Sequence, residues 1–260
     1  MTYCVGMMLD RGLVFMSDSR SNGGMDYVST FKKLYSWKLS DDRLITILCS
    51  GNLGTTQAVI NDLDERVNGK NLSGDGLLQC KTMFQVAKIV ARSLKETIQE
   101  ARGPEIDGNS TFDATLILGG QILGERPRLF QIYPEGNFIE ASETSPFFQI
   151  GETKYGRPIL LRGFDRGMSF SHSMKLMLVS FDSTMKTNLT VSPPFHYQLF
   201  PCDQIDNAVE GIISEDDPNL KMISEGWGDA LKQALDQLPN FVIPGSQSDL
   251  FEALRSSHNE

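Results

Sequence analysis

Histidine is scarce in this chain. His172, His196 and His258 are the only three in 260 residues, and none stands at metal-ligand spacing from another. Any acid–base chemistry must therefore find its base elsewhere. The four cysteines, Cys4, Cys49, Cys80 and Cys202, are scattered without a Cys-x-x-Cys pair, so neither a disulfide framework nor a zinc site is read from them. Basic blocks are missing too. With 24 Lys and Arg against 33 Asp and Glu the net charge is −9, which argues against a phosphate-binding surface and so against nucleic acid as a partner. No apolar run approaches the ~18 residues that cross a bilayer, and the N-terminal stretch lacks the basic leader of a secretory signal. These absences describe a reduced, cytoplasmic chain with no metal, no cofactor and no membrane partner.

What is present suits a core-forming protein. Hydrophobic residues make up 40% and charged residues 22%, and no linker, repeat or low-complexity segment divides the chain. One domain over residues 1–260 is expected, with about 240–260 as a C-terminal extension. "TYCVGMML" and "LVFMSDS" read as strands joined by the turn "DRG", followed by "FKKLYSWKL" and "RLITILCS". On the last of these, Ile45, Ile47 and Cys49 alternate with Leu44, Thr46 and Leu48, so both faces are apolar and both must be covered. Two helices follow: "NLGTTQAVINDLDERVNG", stopped at Gly69, and "KTMFQVAKIVARSLKETIQEARGP", stopped at Gly103-Pro104. The second carries Met83, Val86, Ala87, Val90, Leu94 and Ile98 as one stripe. A second strand block, "FDATLILGG", "RLFQIYP", "NFIEAS" and "PFFQIG", precedes helices over about 153–164 and 168–186. A strand "FHYQLF" and a helix across "DPNLKMISEGWGDALKQALDQLP" complete the order. Strands and helices segregated into blocks argue against a parallel doubly wound fold. They point to α+β: two sheets face to face, coated by helices.

Thr2, directly behind Met1, is the first candidate site residue. Once the methionine is removed, one residue carries a hydroxyl and a free α-amine, and that pair is one way to activate a weak nucleophile. Such a nucleophile needs a carboxylate, a cation and oxyanion donors. Asp18 ends the second strand, which runs back beside the start of the first. Lys32 and Lys33 open the third strand, and alternation puts Lys33 with Phe31, Tyr35 and Trp37 while Lys32 falls on the other face. An ammonium among aromatics needs compensation, and Asp18 supplies it. The same spacing also fits a buried ion pair, or a lysine snorkelling along Tyr35, with no part in chemistry.

"TYCVGMMLDRGLVFMSDSR", "STFKKLYSW" and "ITILCSGNLG" together resemble the proteasome β-subunit family of N-terminal-nucleophile (Ntn) hydrolases. "IGETKYGRPIL" and "SFDSTMKTNLTVSPP" are similar to its bacterial branch, Anbu, the ancestral β subunit. The resemblance covers roughly residues 2–200. It implies the four-layer αββα sandwich and a threonine-type peptidase. On that resemblance Thr2 matches the nucleophile, Asp18 the carboxylate after the second strand, and Lys33 the lysine bonded to both. Gly51 matches the glycine whose N–H faces the oxyanion. Cys49 matches a wall of the first specificity pocket, and Ser21 and Asn22 the segment that holds an extended peptide. Arg20 completes the family's Asp-Ser-Arg. Two departures stand out. The interval from Asp18 to Lys33 is one residue shorter than in common β subunits. The supporting serine after the "IG" turn is replaced by Glu152, with Asp182 and Ser183 matching the later Asp/Ser support.

The expected function is a threonine-type amide-bond hydrolase acting on peptide or protein, with no propeptide to remove. It is expected to close into a homo-oligomeric ring through "YGRPILLRGF" and "SMKLMLVSF". Any ATPase partner is left open by the sequence. Two other readings stay open: a ring-forming scaffold or binding protein with little turnover, and an amidase for a non-peptide or modified-peptide substrate.

Overall fold

Strand β1 (Tyr3–Leu9) turns through Asp10 and Arg11 into β2 (Gly12–Ser17), and the two pair antiparallel with Cys4 opposite Ser17. The computed structural model of the chain describes residues 2–22, 28–39, 42–67, 76–102 and 112–241. A short hairpin follows, β3 (Arg20–Asn22) with β4 (Val28–Thr30). Then come β5 (Leu34–Leu39), β6 (Arg43–Gly51), α1 (Leu53–Val67) and α2 (Met83–Arg102). The second strand block is β7 (Ala114–Ile122), β8 (Arg128–Ile132), β9 (Phe138–Glu140) and β10 (Phe147–Gly151). The chain continues through α3 (Arg157–Gly163), α4 (Phe170–Thr187), β11 (Phe195–Pro201), β12 (Val209–Ile213) and α5 (Pro218–Asp236). The glycine stops expected at Gly69 and Gly103 lie outside the described residues.

Two five-stranded antiparallel sheets result, ordered β10-β1-β2-β11-β12 and β5-β6-β7-β8-β9. Three apolar layers account for strands that are buried on both faces. Leu44 and Leu48 of β6 and Ile117 of β7 meet Cys4, Leu13, Phe15 and Phe148 between the sheets. The other face of β6, with Ile45, Ile47 and Cys49, packs under the α2 stripe of Met83, Val86, Val90 and Leu94. Tyr3, Val5, Met7, Val14 and Met16 pack against Leu160, Met177 and Phe181 of α3 and α4. The architecture is therefore the αββα sandwich. A polar seam also crosses the inter-sheet layer: Thr46 donates to Gln198, and Glu210 accepts from Gln198 and Ser36.

Several boundaries differ from the sequence reading. The third strand begins at Leu34, so Lys32 and Lys33 precede it rather than open it. Helix α3 starts at Arg157, with Pro158 in its first turn, not near 153. The run "SMKLMLVSF", expected as subunit-contact surface, is largely core: Met177 and Phe181 are fully buried, and Leu176, Leu178 and Val179 nearly so. Apolar surface remains on α3, where Leu161 is 60% exposed beside Arg157 and Arg162.

The chain divides into two compact units, Met1–Ser224 and Glu225–Glu260. Within the second unit the described residues are the rest of α5 and the five residues after it. The proposed extension from about 240 lies almost wholly outside the described residues. No helix among the described residues is long and apolar enough to cross a membrane.

Candidate active site

One end of the sandwich gathers the start of β1, the end of β2, the approach to β5 and the ends of β6 and β10. The ladder does the gathering. Tyr3 stands opposite Gly151, and Gly51 opposite Ala114. Thr2 leads into β1 and is partly buried, and its carbonyl accepts the Glu152 N–H at 2.7 Å. Asp18 is pinned to the same strand twice: its N–H donates to Tyr3 O at 3.0 Å, and its Oδ1 accepts Tyr3 N–H at 2.9 Å.

Lys33 completes the pair. Its Nζ lies 2.9 Å from Asp18 Oδ1 and 2.6 Å from Arg20 O, with Asp18 fully buried and Lys33 5% exposed. An ammonium carries three donors, so one is left over. Asp18 Oδ2 is buried and takes no hydrogen bond. Burial pushes the Asp18 carboxyl up to about 6, against the opposing pull of Lys33 and the Tyr3 N–H. The exposed lysine is the neighbour: Lys32 Nζ sits 5.8 Å from the Tyr35 ring centroid. The aromatic contact expected for Lys33 thus belongs to Lys32, because Lys33 lies before the strand and its side chain goes to Asp18.

Gly51 ends β6 at φ +116°, where a Cβ would stand 2.4 Å from Asp113 O, so glycine is required there. Asn52 follows and caps α1, its Oδ1 accepting Thr55 N–H at 3.0 Å. Cys49 is placed by its N–H bond to Lys33 O (2.9 Å), and burial pushes its thiol up to about 12, which disfavours the reactive thiolate. Ser21 and Asn22 lie on β3 opposite Ser29 and Val28. Arg20 presents a buried Nε without a partner. His196 stands one strand over, opposite Ser17, and burial and Lys32 lower its pKa.

The supporting residues divide. Glu152 is nearly buried, and its Oε2 accepts Asn188 Nδ2 at 3.0 Å. Asp182 and Ser183 instead make their contacts within α4, to Lys186 and to Val179 O. Asn188, which closes α4, is the residue sequence reasoning passed over. Its signal was a polar side chain at the helix end before "TVSPP", a loop tied back to the site by Ser19 Oγ donating to Pro194 O at 2.7 Å. Tyr3 was missed as well. Its hydroxyl is 2.7 Å from Ser180 Oγ and accepts Gln149 Nε2 at 2.6 Å, anchoring the strand that carries Thr2.

The arrangement sets Thr2 at the head of the strand to which a buried carboxylate, paired with a lysine, is bonded, at the end of the sandwich where Gly51 turns the chain. Known proteins share the fold that holds it. The family description that matches is "Proteasome subunit", over residues 2–192. Among solved structures, a Gly-1 mutant of Anbu from Hyphomicrobium sp. strain MC1 is 42% identical with a TM-score of 0.86, covering 94% of this chain and 100% of that one. Anbu from Yersinia bercovieri is 38% identical with a TM-score of 0.85, covering 93% and 100%. A helical assembly of the Anbu complex from Pseudomonas aeruginosa is 33% identical with a TM-score of 0.81, covering 94% and 100%. No curated protein matches.

Proposed function

The chain belongs to the proteasome subunit family, and we propose that it is a threonine-type N-terminal-nucleophile amide hydrolase whose nucleophile is Thr2 after loss of Met1. The buried Lys33–Asp18 pair, fixed to the strand that starts at Thr2, is the observation that carries this reading. Thr2 Oγ attacks the carbonyl carbon while the Thr2 amine accepts its proton. The third Lys33 donor stabilises the developing alkoxide, and Asp18 holds Lys33 in place. The Gly51 N–H, with the amino end of α1 behind it, meets the oxyanion. Collapse expels the amine with the proton returned to it, and water then hydrolyses the ester on Thr2. The amine needs little tuning, since a free α-amine titrates near 7.7–8.0, about working pH.

Peptide or protein is the substrate class we assign, held along Ser21 and Asn22 against Cys49. The hydrolase domain works in the cytoplasm, in an assembly of identical subunits whose contacts include the exposed Leu161, Arg157 and Arg162 of α3. Glu152 in place of the supporting serine favours a second reading, a scaffold that assembles but turns over little.

A peptide epoxyketone or β-lactone distinguishes the two. Mass spectrometry of the intact protein should first show one methionine less than the translated chain. It should then show a covalent adduct mapping to Thr2, absent in Thr2→Ala. An unlabelled Thr2 in assembled, Met1-free protein refutes the hydrolase and leaves the scaffold.

A further inference from the structure

Glu152 takes no part in the reaction as drawn above, and its burial is unfavourable on its face. The residue is 9% exposed, and no Lys, Arg or His among the described residues lies within ion-pair distance of its carboxylate. Two neutral donors hold it: Asn188 Nδ2 on Oε2 at 3.0 Å, and the Lys154 N–H near Oε1 at 3.4 Å. Asn188 is itself locked. Its Oδ1 accepts the Thr190 N–H at 3.0 Å and the Thr190 hydroxyl at 2.6 Å, so the amide nitrogen must face Glu152. Its own N–H closes α4 on Thr184 O at 2.8 Å. A carboxylate nine-tenths buried, oriented by hydrogen bonds and matched by no cation, lacks its countercharge.

Backbone geometry makes Thr2 the neighbour of Glu152. The Glu152 N–H bonds Thr2 O at 2.7 Å, and Gly151 (φ +85°) wraps so closely that a Cβ there would stand 1.9 Å from the same oxygen. Thr2 gains a cationic amine when Met1 leaves. We propose that Glu152 is the counterion of the Thr2 α-amine and that Asn188 is the positioning residue that aims it; this rests on Thr2 being the nucleophile. When the amine takes the Oγ proton it becomes an ammonium, and a carboxylate already in place stabilises that charge with no bond made to Glu152. The proton then passes to the leaving amine, and none is transferred to Glu152. The family's serine can only share a hydrogen bond there, whereas a carboxylate favours the protonated amine. Other charged or titratable groups on the elements of this end include Asp18 and Lys33, bonded to each other, Lys32 before β5, Arg20 on β3, Lys154 just after β10, His196 on β11 and the Asp182–Lys186 pair on α4. Their contributions cancel when variants at Glu152 and Asn188 are compared with the parent.

The test uses the full chain released by a specific protease with Thr2 as its first residue, so that Met1 processing does not decide the outcome. The rate of acetylation of the Thr2 α-amine by acetic anhydride, followed by mass spectrometry across pH, gives the midpoint at which the amine loses its proton. Glu152→Gln should lower that midpoint by about one unit or more, the effect of removing an opposite charge at close range. Asn188→Ala should lower it by less. An unmoved midpoint in Glu152→Gln, with an unchanged circular dichroism spectrum, overturns the proposal. Should Glu152→Gln fail to fold, Asn188→Ala decides alone, and an unmoved midpoint in it has the same force. Labelling the parent with a β-lactone separates this from the nucleophile reading. An adduct with an unmoved midpoint removes Glu152 only, and a lowered midpoint without an adduct removes the nucleophile only.

Discussion

Replacing Lys33 by alanine should destabilise the protein in a way that grows with pH, and Lys32→Ala should not. Asp18 is fully buried and loses its ion pair, keeping the Tyr3 N–H on Oδ1. With Lys33 present its carboxyl titrates near 6, raised from 3.8. A raised carboxyl means that the native state holds the proton more tightly than the unfolded chain, so stability falls as pH rises from 3.8 to about 6 in the parent. Without Lys33 the carboxyl is raised further, and the falling window extends upward. Each additional pH unit costs about 1.4 kcal/mol. The variant should thus lie near the parent at pH 5, where Asp18 is mostly protonated in both, and ~3 kcal/mol below it at pH 8. That agrees with the ~3–5 kcal/mol expected for breaking a buried pair. Lys32→Ala removes an exposed contact over Tyr35 and should stay within about 0.5 kcal/mol at every pH. Urea melts of the three proteins at pH 5, 6.5 and 8 read the effect directly. Equal losses for the two lysines, or a Lys33→Ala loss that is flat with pH, would refute the reasoning.

Labelling of Thr2 by a β-lactone should decline as pH falls through about 6, because Asp18 takes up a proton and no longer holds Lys33 as an ion pair; a rate that is flat from pH 5 to 8 speaks against Asp18 in that role. Gly51→Ala should cost at least ~1–3 kcal/mol and abolish labelling, since alanine at φ +116° is strained and its Cβ meets Asp113 O. Calorimetry and mass spectrometry check both parts, and a fully active, equally stable variant contradicts the placement of Gly51. Light scattering at micromolar concentration should give a mass many times 28.9 kDa, and a clean monomer argues against the sequestered peptidase.

The layered fold was legible because its strands declare both of their neighbours. Leu44, Leu48 and Thr46 against Ile45, Ile47 and Cys49 cannot be read as a surface strand, and the α2 stripe supplies the cover for one face. The elements that escaped notice are those without such periodicity. β12, "VEGII", has only Ile213 buried, and the β3–β4 pair is three residues a side next to glycines. The error over "SMKLMLVSF" has the same root seen from the other direction. A helix buried along most of its surface shows no polar face, so apolar residues that fill a core look like a surface awaiting a partner.

At the site, the legible residues are those whose geometry is set by sequence-local rules, and the hidden ones are set by tertiary closure. Asp18 could be placed beside the start of β1 because a two-residue turn fixes the β1–β2 register, whereas Gly51 was named from the resemblance and the structure adds why glycine stands there, a strand end at positive φ. Lys33 was placed correctly for a partly wrong reason: its side chain reaches Asp18 from ahead of the strand, and strand alternation does not govern it. Asn188 lies 36 residues beyond Glu152, across two helices, so no spacing rule joins them. Yet the substitution of a serine by Glu152 carried a physical demand that the sequence already contained. A carboxylate placed in a closed turn beside Thr2 needs donors and a countercharge. Asn188 supplies the donor. Under the counterion proposal the amine of Thr2 meets the second demand, and the titration of that amine together with labelling of Thr2 decides between retained chemistry and a scaffold that turns over little.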